Sequence, residues 1–373
     1  MKLLSTCMLH ALCVLFTCHR SGAVVDMVNV FSSSEVSGCV RLRTPEMLRN
    51  ERTGGIHVIA RCCGANRCSS KGARAGHEPG DLGDNNSDCK VIMKSTMDVG
   101  KTWTNFQVLS PPNAISYANG AGIYDRFRDQ IIVQYSFIPL GSTRPAKNVN
   151  YFQIVSRDDA ASWSSPRNIT ALVAGCNPDE NDMMLQSAGT KLQSPSGRLI
   201  WPAHAFGDRG ACVWYSDDGG ETYNTTAPIN GNELSITVAN RETNELYMTG
   251  RPVKETSPRR ADYRSYDDGA TWSKPAVSDL KSDDGHGCER SLININDVLY
   301  SAEPEGHKRT NMVVRCSKDH GNKWNSSKGV NGDNGAGYSD MVALDDHSFF
   351  LVWENTDNGN FHSATIDAWC NHP

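Results

Sequence analysis

The amino-acid sequence predicts an all-β protein, a six-bladed β-propeller, on three observations. One short pattern, Ser/Thr-x-Asp-x-Gly-x-Thr-Trp, occurs five times. Its copies recur at a near-regular interval along most of the chain. No long run carries apolar residues at a 3.6-residue period, so helix should be scarce. Self-similarity at such an interval marks repeated supersecondary units that bury a core by packing side by side, and a propeller is a leading candidate.

The first copy is Thr96-Met-Asp98-Val-Gly100-Lys-Thr102-Trp103, and the second is Ser156-Arg-Asp158-Asp-Ala160-Ala-Ser162-Trp163. The third, Ser216-Asp-Asp218-Gly-Gly220-Glu-Thr222-Tyr223, is followed by Ser265-Tyr-Asp267-Asp-Gly269-Ala-Thr271-Trp272 and Ser317-Lys-Asp319-His-Gly321-Asn-Lys323-Trp324. The central aspartates lie 60, 60, 49 and 52 residues apart. Each residue type has a job. Asp and Ser/Thr side chains bond to the backbone of a tight turn. Gly accepts positive φ at little cost. The aromatic residue is a large buried anchor under the hairpin. Strand-like runs such as Lys90–Lys94 and Met312–Arg315 enter the boxes. Calcium is not expected, because an EF-hand loop needs acidic ligands at alternating positions and a Glu at its end. No metal site and no cofactor are predicted.

The chain has 373 residues, and no Pro/Gly-rich linker or charge run divides it. One propeller domain is therefore expected over 24–373, as six blades of roughly 58 residues with four short strands each. The 32 glycines and many Asp/Asn-containing turns suit this. The first 23 residues read as a secretory signal peptide: Lys2, an apolar stretch from about Leu3 to Phe16, then the small residues Ser21 and Ala23. No other stretch is apolar enough for a membrane span, so no membrane insertion is expected after signal removal. The expected location is secreted, with the lysosomal lumen as the alternative.

Cysteine usage agrees. Outside the signal there are ten: Cys39, Cys62, Cys63, Cys68, Cys89, Cys176, Cys212, Cys288, Cys316 and Cys370. An even number in an exported chain suggests disulfides. Cys62, Cys63, Cys68 and Cys89 surround a long insertion that should be stapled internally. Glycosylation sequons start at Asn85, Asn168, Asn224 and Asn325. A net charge of −5 gives no reason to expect nucleic acid as a partner. An anionic substrate would need a local cationic cluster.

The five repeats resemble the Asp boxes of the sialidase (neuraminidase) superfamily, and further motifs share that resemblance from about Arg41 to Glu354. Sialic acid carries a carboxylate on its anomeric carbon, which planar arginine forks hold better than lysine. The resemblance implies three such arginines. Arg43 lies in Arg41-Leu-Arg43-Thr-Pro45, similar to an early Arg-Ile-Pro motif. Arg251 ends Leu246-Tyr-Met-Thr-Gly-Arg251, and Arg309 stands just before the fifth box. Tyr338, in Gly337-Tyr338-Ser339, is the implied nucleophile. A phenol avoids the repulsion that a carboxylate would meet at an anionic centre. It needs a base, and Glu233 matches the family's glutamate partner. Glu354 is the implied orienter of Arg43, and Arg61 matches an arginine at a strand end. Counting back from the first box puts the acid/base aspartate at Asp84, with Asp88 and Asp81 as alternatives. Asn119 loosely matches a family aspartate near the glycerol and N-acyl pocket.

The resemblance thus implies a retaining exo-α-sialidase acting on sialylated glycans through a tyrosyl intermediate. A trans-sialidase or intramolecular trans-sialidase would share every one of these residues. A non-catalytic sialic-acid-binding lectin is the alternative from a different class.

Overall fold

The computed structural model describes residues 27–39, 41–64, 89–111, 119–137, 149–176, 184–187, 189–205, 210–251, 259–281, 288–306 and 308–371. Within these the chain forms six antiparallel sheets, together a β-propeller, and its only helical segments are four 3-10 turns. Blade 1 contains Arg41–Arg49, Ile56–Cys63, Cys89–Thr96 and Gln107–Val108. Blade 2 runs from Gly120 to Asn168, blade 3 from Met184 to Thr225, blade 4 from Asn232 to Lys281 and blade 5 from Ser291 to Gly329. Blade 3 has one extra short strand, Leu192–Gln193.

Blade 6 closes the ring with both ends of the described chain. Its inner strands are Ser339–Ala343, Ser348–Glu354 and Phe361–Asp367, and its outermost strand is Val28–Phe31 from the other end. Phe31 pairs with Phe361, and their rings meet edge to face at 6.0 Å. Aromatic edge contacts of this kind add about 0.5–1.5 kcal/mol beyond the area they bury.

The five boxes share one hydrogen-bond scheme. In the first, the Thr96 hydroxyl donates to Asp98 Oδ1 at 2.8 Å and accepts from the Gly100 amide at 2.9 Å. Asp98 in turn accepts from the Thr102 amide and hydroxyl, at 2.8 and 2.7 Å. The other four boxes repeat the bonds from the leading serine to the aspartate and from the fifth residue's amide to that serine.

The box aromatics do more than anchor their own hairpins, because most reach the preceding blade. Trp103 packs on Phe350 of blade 6, Trp324 packs on Tyr247 of blade 4, and the Tyr223 hydroxyl accepts a bond from Gln134 of blade 2. The Trp163 indole donates to Gln107 of blade 1 at 3.2 Å. Gly100 explains the box glycine. It has φ 82°, and a Cβ there would sit 2.8 Å from the Phe350 ring.

Four disulfides join Cys39 to Cys62, Cys63 to Cys89, Cys176 to Cys212 and Cys316 to Cys370. Cys63–Cys89 closes the base of the insertion, across a register pair of blade 1. Cys62 departs from the expected internal staple. Successive strand residues point to opposite faces, so Cys62 faces away from Cys63 and meets Cys39 instead. Cys68 lies outside the described residues. Among the described residues no helix is long and apolar enough to cross a membrane.

Hydrogen bonds from Thr102 and Thr96 hold the Asp98 carboxyl at about 2, below its ordinary 3.8. A carboxyl depressed on folding contributes stability that is present above its unfolded value and lost as pH falls toward the folded one. Asp98→Ala is therefore expected to lower Tm at pH 7. The gap to the parent protein should narrow between about pH 4 and pH 2. Thermal unfolding across that range checks this, and a constant gap would contradict it.

Candidate active site

Five of the residues singled out in the sequence, Arg43, Glu233, Arg251, Arg309 and Glu354, converge around Tyr338, from the first two strands of blades 1, 4 and 6 and from the turn after the second strand of blade 5. Glu233 is the second residue of Asn232–Asn240 in blade 4. Its backbone is left-handed, φ 43°, in an irregular stretch of pairing between Asn232 and Ser235. That kink lets the carboxylate serve two partners. Glu233 Oε1 accepts the Tyr338 hydroxyl, and Oε2 accepts Arg251 Nη1 at 2.7 Å.

Arg43 and Arg309 flank the ring, with guanidinium carbons 5.5 and 5.2 Å from the Tyr338 ring centroid. Glu354 Oε1 accepts Arg43 Nε at 2.9 Å and the Thr44 amide at 2.7 Å. This bond restrains the Arg43 fork about one of its nitrogens. Thr44 and Arg309, like Glu233, have left-handed backbones, φ 53° and 60°. Non-glycine residues held there cost of order 1 kcal/mol or more and collect at functional sites. Arg61 sits directly across the strand pair from Arg43 and is buried. Asp84, Asp88 and Asp81 lie outside the described residues. Asn119 is buried and donates to the Gln186 carbonyl at 3.0 Å.

The charges oppose one another in a fixed pattern. Burial alone would raise the Glu233 carboxyl, but Arg251, His204 and the bond from Tyr338 hold it at about 2. Burial, together with Glu233, pushes the Tyr338 phenol well above its ordinary 10.0, against Arg251 and Arg309. The shared proton therefore rests on the phenol, which donates to a carboxylate. Arg251 stays charged despite burial because Glu233 faces it. Arg309 is raised first by Cys288 and, against burial, also by Tyr338, Glu354 and Glu233. Three forked cations around a hydrogen-bonded phenol make a receptor for a carboxylate beside an activatable oxygen nucleophile. Among the described residues no group of three His, Cys, Asp or Glu side chains is placed to hold a metal.

Sequence reasoning missed several neighbours. His204, in Ala203-His204-Ala205, is buried beside Glu233 and Arg251. A single histidine in a strand buried along its whole length carries no signal. Arg260 is buried and donates to the Cys288 carbonyl at 2.8 Å. Cys288 belongs to none of the four disulfides and packs against Tyr338 instead.

Residues 82–352 match the family model described as a BNR repeat-like domain. A sialidase of Bacteroides fragilis is 28% identical over 233 residues, covering 58% of this chain and 42% of that protein. Sialidase-3 of Bos taurus is 29% identical over 160 residues, covering 38% of this chain and 37% of that protein. These alignments thus span less than half the length of either relative. Among solved structures, the Hadza microbial sialidase Hz136 superposes with a TM-score of 0.75 at 18% identity, covering 92% of this chain and 69% of that one. The intramolecular trans-sialidase from Ruminococcus gnavus, in complex with oseltamivir carboxylate, superposes with a TM-score of 0.71 at 14% identity, covering 91% and 97%.

Gly337, just before Tyr338, leaves no room for a side chain. A Cβ there would lie 2.5 Å from Glu354 Oε2 and 3.0 Å from Glu354 Cβ. Gly337→Ala should push Glu354 off Arg43 and Thr44, lowering unfolding stability by about 1–3 kcal/mol. Denaturant unfolding measures the loss. Parental stability, with Glu354 still on Arg43 in a crystal structure of the variant, would contradict this account.

Proposed function

The chain belongs to the BNR repeat-like domain family within the sialidase superfamily, and from that premise we propose that it is a retaining exo-α-sialidase that releases terminal sialic acids from glycans. The observation that carries the reading is Glu233 holding Tyr338 and Arg251 at once, with Arg43 and Arg309 against the same ring.

In this reading Arg43, Arg251 and Arg309 take the substrate carboxylate. Neutralising them also relieves the field that keeps Glu233 a weak base. Tyr338 attacks the anomeric carbon as Glu233 accepts the phenol proton. Positive charge developing on an oxocarbenium-like sugar lowers the cost of forming phenolate beside it. The phenol suits an anomeric centre that already carries an anion, because a carboxylate nucleophile would be repelled. Asp84 is proposed to protonate the leaving oxygen and then to activate the water that frees the enzyme. No step needs a metal or an organic cofactor.

Incubation with an α-sialoside, followed by NMR of the products, tests this. The expected product is free sialic acid, released first as the α-anomer, since two inversions retain configuration. An anhydro sugar or a transferred sialoside would replace hydrolysis by transglycosylation on the same residues. Binding without turnover would leave a lectin and overturn the enzymatic reading. Asp84→Ala should spare an activated aryl sialoside more than a sialyl-oligosaccharide, because only a poor leaving group needs the proton. Equal loss on both substrates would remove Asp84 from that role.

We also propose export through the secretory route, to the cell exterior or the lysosomal lumen. Four disulfides are compatible with an oxidising compartment. Asn168, Asn224 and Asn325 are exposed and lie in or beside the outermost strands of their blades, open to N-glycans. Mass spectrometry of protein from a secretory host should show loss of about 23 residues and mass at these asparagines that a glycosidase removes. An intact N-terminus with unmodified asparagines would contradict export.

A further inference from the structure

Behind Glu233 a chain of hydrogen bonds leads away from the phenol and ends on a buried histidine. Glu233 and Leu234 fall in the irregular stretch of blade 4, where no register pair is formed between Asn232 and Ser235. The Leu234 amide donates sideways, to Ser187 Oγ at 3.2 Å. Ser187 follows the inner strand Met184–Gln186 of blade 3, and its own amide donates to the Pro202 carbonyl at 3.0 Å. Ser187 Oγ lies 3.3 Å from His204 Nδ1. Both side chains are buried, Ser187 with no exposure and His204 with 7%.

The Leu234 amide can only donate to Ser187 Oγ, whereas the bond between Ser187 and His204 takes its direction from the ring tautomer. Ser187 Oγ accepts the Leu234 amide, so its own proton is free to be donated, and His204 Nδ1 is within reach. That requires a neutral imidazole with its proton on Nε2. Burial favours the neutral ring and holds His204 down at about 4, while Glu233 draws it up and Arg251 pushes it down. The stretch beyond the kink has a separate tether, since the Ile236 amide donates to the Thr190 carbonyl at 3.0 Å. Losing Ser187 or His204 would therefore free the Glu233 end while the strand stays docked.

We propose that Ser187 and His204 are positioning residues, a relay that fixes the left-handed turn at Glu233 and so aims its carboxylate at Tyr338 and Arg251. Neither side chain touches the reacting atoms. Their part in turnover rests on the sialidase reading, whereas the relay itself does not.

Three variants test the relay. Ser187→Ala removes the middle of the chain and His204→Leu removes the terminal acceptor. His204→Asn restores an acceptor near the Nδ1 position. On an aryl α-sialoside, kcat should fall about tenfold in Ser187→Ala and His204→Leu. KM should change less than about twofold, because the three arginines remain. His204→Asn should recover most of kcat. A second readout is independent of turnover. In protein with ¹³C-labelled tyrosine ring carbons, the Tyr338 Cζ resonance reports its bond to Glu233. It should move in Ser187→Ala and His204→Leu and return in His204→Asn. Unchanged kcat and an unmoved resonance in folded variants would overturn the proposal. If His204→Leu does not fold, Ser187→Ala against His204→Asn decides: loss in the first with recovery in the second supports the relay, and any other pattern overturns it. If the parent protein cleaves no sialoside but the resonance still responds, the sialidase reading fails and the relay stands.

Discussion

One carboxylate organises the centre of this molecule. Glu233 accepts a phenol on one oxygen and a guanidinium on the other, so one buried side chain serves both. Removing it would take an acceptor from the buried phenol and an opposing charge from the buried guanidinium. Satisfying both from one side chain demands an aim that a regular strand cannot give. The left-handed φ at Glu233 supplies that aim. Thr44 and Arg309 carry the same local cost beside the arginine forks and the phenol. The propeller tolerates it because the ring around the site is closed by packing and by a sheet shared between its two ends.

A second buried cluster of ionisable groups joins blades 1, 3 and 6. Lys191 of blade 3 pairs with Glu46 of blade 1 and lies 3.7 Å from Asp340 of blade 6. Asp340 Oδ2 accepts the Met47 amide at 2.8 Å. Burial pushes Lys191 down and Asp340 up, each toward its neutral form. Buried pairs of this kind contribute little net stability, but removing one member is costly. Here they tie the strand that carries Arg43 to the strand that follows Tyr338. Arg43 and Tyr338 are thereby held in register across the point where the ring closes.

Much of this was legible in the sequence, for an identifiable reason. The boxes are local: a serine or threonine, an aspartate and a glycine make one turn with bonds inside eight residues, so the pattern survives in one dimension. Arg43, Arg251, Arg309, Tyr338, Glu233 and Glu354 were legible because each stands in its own short motif, although only the fold brings them together. What stayed hidden was non-local or depended on direction. His204 and Ser187 act through a backbone amide in another blade, and no spacing encodes that. The partner of Cys62 depended on which face of its strand it occupies, and nearness in sequence to Cys63 pointed the wrong way. The box aromatics were readable as anchors, but that they join neighbouring blades required the ring. Ring closure by Val28–Phe31 had no motif at all. Asp84 was reached by counting back from the first box to the far end of an insertion, the weakest step of the reading, and it falls outside the described residues.

The central claim is that Glu233 prepares Tyr338 to attack an anomeric carbon whose carboxylate the three arginines hold. Trapping the glycosyl-enzyme with a 3-fluorinated sialosyl fluoride tests this most directly, because the added fluorine disfavours the oxocarbenium-like transition state of turnover. Peptide mapping is predicted to place one sialosyl adduct on Tyr338, within Gly337-Tyr338-Ser339, with none in Tyr338→Phe and slowed formation in Glu233→Gln. An adduct on another residue, or full turnover by Tyr338→Phe, would contradict the account even with the propeller intact.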